Sequence, residues 1–164
     1  MQDSRRERAR QRFGHRCGYC GVHEDDAGAT LALDHHRPRA HRGEDQSDNL
    51  VYACPRCNEH KGSYWHEDTP PHVRLLHPGH DALAAHLRED DGGNIHGTTP
   101  EGEFFVARLH LNRPQLVAYR RALRERRALS EQLGSAIDRM RALERRMNEL
   151  GAEIDATVGE IDQD

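Results

Sequence analysis

Residues 33–61, LDHHRPRAHRGEDQSDNLVYACPRCNEHK, contain the second of two C-x-x-C pairs, Cys54 and Cys57. The first pair, Cys17 and Cys20, lies upstream in the sequence CGYC. Two such pairs on either side of a long loop predict a single tetrahedral zinc site with four thiolate ligands. Because four thiolates leave no coordination position for water, we expect this zinc ion to be structural.

The composition favours a small domain held by metal over one held by a large apolar core. The chain has 164 residues, of which 35% are hydrophobic and 5% aromatic. This length suits one domain with an appendage, and bound metal adds stability where the apolar core is small. No apolar stretch is long enough for a secretion signal or a membrane span. We therefore expect a cytoplasmic protein whose paired cysteines bind metal rather than form disulfides.

The charged residues are distributed unevenly along the chain. The formal net charge is −4, but residues 1–20 contain six Arg against two acidic residues. Residues 113–147 contain ten Arg against four acidic residues, and residues 148–164 contain six acidic residues and no basic one. Two basic surfaces therefore remain despite the negative total, and they are compatible with a nucleic-acid partner.

The alternation of apolar residues with Gly and Pro predicts an α+β fold in which strand, loop, strand and helix surround the cysteine pairs. The predicted elements are a helix over 3–13, strands over 29–34 and 49–53, a helix from Pro55 to Lys61, a strand over 72–76, a turn at 90–94, a helix from Thr98 or Thr99 to about Leu109, and a helix from its N-cap Asn112 to about 158. We expect three regions: a finger with its N-terminal helix over 1–66, a linker or small α+β region over 67–112, and a long helical tail over 113–164.

The predicted tail has a heptad pattern of apolar residues. One set recurs every seven residues, at Leu133, Met140, Met147, Ile154 and Ile161, and a second set lies three residues further on, at Ala136, Leu143, Leu150 and Thr157. This pattern is typical of a coiled-coil seam, so we expect a homodimer or a partner protein bound through this helix. The alternative is a helix whose apolar face packs on its own domain.

The residues around the second cysteine pair include the groups that phosphodiester hydrolysis requires. That reaction needs a base to activate water and a cation to stabilise charge on the phosphate. A neutral imidazole suits the first task, and carboxylate and amide oxygens suit a hard ion such as Mg²⁺ or Mn²⁺. Asp34 and His35 are adjacent on a predicted strand, so their side chains point to opposite sides. Asn58 directly follows the predicted zinc ligand Cys57.

In order and spacing, residues 17–61 resemble the HNH endonuclease family, which has a ββα-metal fold. The residues that carry the resemblance are Asp34-His35, Pro38, Asn49-Leu50, the Cys54–Cys57 pair and Asn58. The resemblance covers less than a third of the chain, but its motifs are specific. It implies a divalent-metal-dependent endonuclease that hydrolyses DNA, with the helix of the finger in or near the minor groove.

The resemblance also implies a role for each site residue. His35 would be the general base that activates water, and Asp34 and Asn58 would be ligands of the catalytic Mg²⁺ or Mn²⁺. Asn49 would hold the loop by hydrogen bonds and keep His35 oriented. The family often has His where this chain has Asn58, so His60 is a rival ligand. His60 and Lys61 are otherwise expected on the helix surface or in contact with DNA.

A second segment, residues 95–120, is similar to a region that follows the finger in some standalone bacterial HNH proteins. The matching residues are Gly102, Val106, Leu109, Leu111, Asn112, Arg113 and Pro114. The similarity implies a C-terminal extension of the nuclease, and such proteins often act beside a partner in defence against foreign DNA. The alternative function is a non-catalytic zinc module that binds nucleic acid or protein and carries a coiled-coil scaffold tail.

Overall fold

The computed structural model confirms the α+β fold and describes the backbone of residues 2–161 and the side chains of residues 4–152. The helices and strands are α1 (Gln2–Arg12), β1 (Ala32–His35), β2 (Leu50–Ala53), α2 (Pro55–Lys61), β3 (Leu87–Glu89), β4 (Ile95–Gly97), α3 (Pro100–Arg108) and α4 (Pro114–Ile161). Three single-turn 3₁₀ helices lie at Glu24–Asp26, Arg39–His41 and Leu83–Ala85. The predicted order of strand, loop, strand and helix is present from β1 to α2.

The antiparallel hairpin of β1 and β2 positions the site. Asp34 pairs with Val51, and His35, the last residue of β1, pairs with Leu50. All four residues of β2 are buried, because α1 lies against this strand and the rest of the core closes around it. A buried β2 gives the hairpin a fixed register, and the register fixes where Asp34 and His35 point.

One apolar core extends from the finger into the region after it. Val51 and Tyr52 of β2 share this core with Leu76, Phe105 and Leu109. The chain divides into two compact units, Met1–Arg121 and Ala122–Asp164. Residues 67–112 therefore pack on the finger within the first unit. The division into three regions over 1–66, 67–112 and 113–164 remains a prediction.

Two local predictions are wrong. Residues 72–76 form no strand; instead an irregular segment buries Leu75 and Leu76 in the core. Asn112 does not cap α4, because its side chain exchanges two hydrogen bonds with the backbone of Ile95, at 2.7 and 2.8 Å. The predicted turn at 90–94 is present, and it joins β3 and β4 in a hairpin that the sequence pattern did not indicate.

The second unit consists of helix as far as the described backbone extends, to Ile161. Most of its described large apolar side chains are exposed, whereas Leu123 is half-buried. Three residues of the predicted heptad pattern, Ile154, Thr157 and Ile161, have side chains outside the described residues. Among the residues that the structure describes, no helix combines the length and apolar character needed to cross a lipid bilayer.

Candidate metal centre and active site

The four cysteines converge as the spacing predicts. Their sulfur atoms all lie within 4.8 Å of one another, and none is in a disulfide. A tight turn closes the first pair, with the Gly21 amide donating to the Cys17 carbonyl at 2.8 Å. In the second pair Cys54 is the N-cap of α2, and its sulfur accepts from the Cys57 amide. Four thiol groups around one point fit a tetrahedral zinc ion and leave it no open position.

Arg113 is part of this centre and was not predicted. Its Nη2 atom lies 3.9 Å from the sulfur of Cys54 and 3.7 Å from that of Cys57. Although burial opposes it, attraction to Cys57 raises the pKa of Arg113. The guanidinium therefore offsets part of the negative charge that four thiolates bring to one zinc ion. It also ties the segment between α3 and α4 to the finger.

Asp34 lies on the buried side of β1. One carboxylate oxygen accepts a hydrogen bond from the Tyr19 hydroxyl, and the other lies 3.1 Å from Nζ of Lys61. Burial raises the pKa of Asp34, against the opposing effect of Lys61. Burial likewise raises the pKa of Tyr19, so this hydroxyl stays a donor. A carboxylate has about four acceptor positions, so these two partners leave Asp34 able to bind a cation.

Lys61 is fully buried, and the prediction of a helix-surface residue is wrong. Besides its contact with Asp34, the Lys61 ammonium group donates a hydrogen bond to the backbone carbonyl of His35 at 2.8 Å. The backbone carbonyl of Lys61 accepts a hydrogen bond from the Arg108 side chain at 2.7 Å. Burial lowers the pKa of Lys61, and Asp34 opposes that shift. Lys61 thus fastens the end of β1 to the last turn of α2. Its only signal in the sequence is that it is the single lysine of the chain.

His35 points to the opposite side of β1, as the strand geometry predicts. The Nε2 atom of His35 lies 2.7 Å from Oδ1 of Asp45. The same Nε2 atom makes a longer contact, of 3.3 Å, with Nε of Arg39. The short contact assigns the proton to Nε2, because only an N–H can donate to a carboxylate. Nδ1 is then the nitrogen with a free lone pair. Within the described part of the chain, Nδ1 has no hydrogen-bond partner.

Asp45 is held in turn by two arginines. Arg5 of α1 and Arg39 of the loop each reach its carboxylate at 2.5 Å. Hydrogen bonds from His35, Arg39 and Arg5 hold the pKa of Asp45 well below its usual range. Asp45 therefore stays ionised and presents an acceptor to His35. Asp45 could not be identified from the sequence, since nothing in the motif marks one acidic residue among several in the loop.

Asn49 fastens the loop that follows His35. Its Oδ1 accepts from the amide of Arg37 at 2.8 Å, and its Nδ2 donates to the carbonyls of Arg37 and Glu44. The loop is tight, because a Cβ atom at Gly43 would overlap the carbonyl oxygen of Arg37. These bonds hold both ends of the loop against β2.

Asn58 and His60, the two candidate ligands of the catalytic cation, have different surroundings on α2. Asn58 is three residues before Lys61, so the two lie on one face of α2, and no hydrogen bond of the Asn58 side chain is present among the described residues. The His60 ring instead stacks on His110, with ring centroids 4.2 Å apart. Burial and the nearby His110 lower the pKa of His60. The His60 ring therefore packs on the segment that follows α3.

A cluster of histidines lies under the loop. His36 is buried and packs on His77, with ring centroids 4.4 Å apart, and His77 in turn packs on His80. Burial lowers the pKa of His36 to about 3 and that of His77 to about 4. Both rings are therefore neutral and structural near neutral pH, and His36 does not face the solvent as a base would.

The comparisons with known proteins agree with this geometry. The family model described as HNH endonuclease matches residues 17–64. That range runs from the first cysteine pair through β1, β2 and α2 to just beyond Lys61. No curated protein matches the chain, and no solved structure matches it. Residues 17–64, called the HNH segment below, therefore match the HNH endonuclease family, and four of them are cysteines placed to hold one zinc ion.

Proposed function

We propose that this protein is a metal-dependent endonuclease that hydrolyses DNA at the end of β1. The observation that carries the proposal is the pairing of two differently placed groups within the HNH segment. Asp34 is buried against Lys61 of α2, and His35 is turned the other way, toward Asp45. A module that only bound zinc would have no use for an oriented imidazole beside a carboxylate.

Asp34 and Asn58 are the residues that would hold the catalytic divalent cation. They offer a carboxylate oxygen and an amide oxygen, the donors that Mg²⁺ and Mn²⁺ prefer. Asn58 fits this task because its side chain has no partner in the described part of the chain. A cation bound there would stabilise negative charge on the phosphate. Lys61 and Tyr19 keep Asp34 in position.

His35 is the proposed general base. With Nε2–H donated to Asp45, Nδ1 can take a proton from a water molecule. The water oxygen forms a bond to phosphorus, and the bond from phosphorus to the leaving sugar oxygen breaks. Asp45 is a positioning residue in this scheme: it holds the ring and its tautomer, as a carboxylate does for a catalytic histidine in other hydrolases. Asn49 holds the loop in which Asp45 lies.

DNA is the proposed substrate because the arginines of α1 lie next to this site. Arg5 contacts Asp45, and Arg8 and Arg12 follow it at helical spacing and line the same groove. A row of guanidinium groups contacts phosphates without regard to base sequence. We infer low intrinsic sequence specificity, with the finger helix in or near the minor groove reading the shape of the duplex.

A cytoplasmic location and a role in defence are further parts of the proposal. Four reduced cysteines gathered for metal suit a reducing compartment. The resemblance to standalone HNH proteins implies action against foreign DNA beside a partner. The measurement is phage plating on cells that express the wild-type chain or His35→Ala. Equal plating by both strains would remove the defence role.

A second candidate is a non-catalytic zinc module that binds nucleic acid or protein and carries a scaffold tail. The observation that favours it is the Asp34–Lys61 pair itself. Lys61 already supplies a positive charge to Asp34, and a carboxylate whose charge is balanced in this way does not require a metal ion. The two candidates differ in one property, which is turnover of a phosphodiester substrate.

Nicking of a supercoiled plasmid separates the candidates. We expect the wild-type chain to cleave in Mg²⁺ or Mn²⁺ and to be inactive in a chelator that leaves the zinc in place. His35→Ala should lower the rate by at least about a hundredfold, with unchanged zinc content and circular dichroism. His96→Ala is the control, since His96 is exposed and pairs with Asp90. Cleavage that persists in His35→Ala, or no divalent-dependent cleavage by the wild type, would contradict the proposal.

A further inference from the structure

The large apolar side chains that are exposed all lie on one helix, within the described side chains of the chain. They belong to the second unit, at Leu129, Leu133, Ile137, Met140, Leu143, Met147 and Leu150. Their exposure reaches 71% at Met147 and 65% at Leu143. Burying such a side chain stabilises by roughly 1.5–3 kcal/mol, so a row of seven in water indicates a surface that another chain covers.

The row has the spacing of a two-stranded seam. Leu133, Met140 and Met147 occupy the a positions of successive heptads, and Leu129, Leu143 and Leu150 occupy d positions together with Ala136. From 129 to 150 the seam is about 32 Å long at 1.5 Å per residue. It begins at Leu129 because the preceding a position is Arg126, where two like charges would face each other.

The flanking charges distinguish the possible partner arrangements. In a parallel dimer in register, a g residue faces the e residue of the next heptad on the other copy. Arg139 is at g and Glu144 is at e, so each copy contributes one attractive pair across the seam. The remaining described g positions of the seam, Gln132 and Arg146, face the uncharged Ile137 and Gly151. This arrangement therefore contains no repulsive pair.

The antiparallel arrangement is less favourable. If the two helices run in opposite directions and keep the same apolar layers together, each g residue faces a g residue of the other copy. Arg139 of each copy then faces Arg146 of the other, which gives two repulsive pairs. Glu144 then faces Ile137 and loses its partner. We propose that residues 129–150 form a parallel, in-register, two-stranded coiled coil with a second copy of this chain. Such an interface is closed by a two-fold axis and stops at two copies.

The dimer goes beyond the proposed nuclease function and does not rest on it. It gives each particle two copies of the HNH segment. Failure of the dimer would leave the nuclease proposal intact, because mass and cleavage are measured separately.

The mass of the full zinc-loaded chain in sedimentation velocity is the first measurement. We expect a species of twice 18.7 kDa at micromolar concentration. Leu133→Glu with Leu143→Glu should give the monomer, because both place a charge in the seam. The control is Ala142→Glu with Arg145→Glu, which adds the same two residues at exposed c and f positions and should leave the dimer intact. Zinc content and helix content verify that each variant folds.

Orientation is measured by reversing charges. In the parallel dimer, Arg139→Glu turns each attractive pair with Glu144 into a repulsion between two glutamates and should weaken dimerisation about tenfold. Adding Glu144→Arg should restore it. In the antiparallel arrangement Arg139→Glu would relieve repulsion from Arg146 and tighten the dimer. A wild-type monomer, an oligomer larger than two, a dimer that survives the seam variants, or tightening by Arg139→Glu would each overturn the proposal.

Discussion

At the scale of single residues, the site depends on which side of β1 each side chain takes. Asp34 and His35 are neighbours in sequence, yet one is buried against Tyr19 and the other faces Asp45. Strand geometry alone sends them apart. This is why the proposed cation ligand and the proposed general base can be adjacent without neutralising each other.

The identity of the second ligand to the catalytic cation is a prediction at this scale. Asn58→Ala should abolish detectable nicking or raise by at least about tenfold the Mn²⁺ concentration that half-saturates it. His60→Ala should keep the wild-type dependence, because the His60 ring is occupied in stacking on His110. Titration of the nicking rate with Mn²⁺ at fixed zinc makes the comparison. The opposite ranking would assign the ligand to His60.

Asp45 gives a second prediction. Asp45→Ala removes the acceptor for Nε2–H of His35, so the ring can rotate and change tautomer. We expect kcat to decrease at least about tenfold with little change in KM. Glu44→Ala is the matched control, since Glu44 is an exposed neighbour whose carboxylate contacts Gln46 alone among the described residues. An increase in kcat would mean that Asp45 restrains His35 instead of orienting it.

The residues that spacing could identify are those whose partners recur at fixed intervals. The four cysteines are of this kind, and they converge as predicted. Asp45, Lys61 and Arg113 are not, since each joins a partner ten or more residues away by a contact that tertiary packing decides. An ordinary charged residue in a charged chain gives no local sign that it will be buried or paired.

At the scale of elements, α1 does more than precede the first cysteine pair, because it also contacts the loop beside His35. Arg5 contacts the carboxylate that holds His35, and Arg12 donates to the carbonyl of Ser47 in the same loop. This helix therefore positions the loop as well as presenting arginines beside it. Its charged face is consistent with its place between the loop and the solvent.

The salt dependence of DNA binding measures the contribution of α1. Each phosphate contact adds a little under one unit to the slope of log K against log salt concentration. Arg8→Gln should reduce this slope by about one unit and weaken binding equally for unrelated duplexes. The control is Arg88→Gln, an exposed arginine in β3. Equal slopes in wild type and Arg8→Gln would exclude α1 from the interface.

Elements were predictable where turn chemistry and periodicity agreed. Pro55 begins α2 as expected, and α3 and α4 begin at Pro100 and Pro114, within two residues of the predicted starts. The β3–β4 hairpin was missed because its strands have three residues each, too few to show a period. The prediction of a strand over 72–76 was wrong. Leu75 and Leu76 are both buried, whereas in a strand with one exposed face two neighbouring side chains would point to opposite sides.

At the scale of the whole molecule, two buried histidines make stability depend on pH. The pKa of His36 is about 3 and that of His77 about 4 in the fold, against about 6.5 in an unfolded chain. Both rings are neutral in either state above that value, so stability is then complete. As pH falls below about 6.5 the unfolded chain binds protons first, and the free energy of unfolding decreases until the folded rings protonate.

The prediction concerns the slope of the free energy of unfolding against pH. Each histidine should contribute up to about 1.4 kcal/mol per pH unit between roughly pH 6 and 4. Denaturant unfolding at saturating zinc would show a shallower slope for His77→Leu than for wild type. His96→Ala, at an exposed position, should keep the wild-type slope. Acid also weakens zinc binding, but it does so in the wild type and both variants alike, so the difference between their slopes reports the histidines. Parallel curves for wild type and His77→Leu would contradict the assignment.

Removal of zinc is the most general prediction, because the metal joins parts of the chain that a small core cannot hold alone. The ion would connect the first cysteine pair to α2, and α2 carries Asn58 and Lys61. Chelation should therefore abolish both nicking and the cooperative unfolding transition of the first unit.

Arg113→Leu should raise the dissociation constant for zinc by about 10- to 100-fold, since the thiolates lose their nearest positive charge. Arg121→Leu, at an exposed position nearby, is the control. A metal-free chain that unfolded at the same denaturant concentration would show that the cysteines stabilise the finger without zinc.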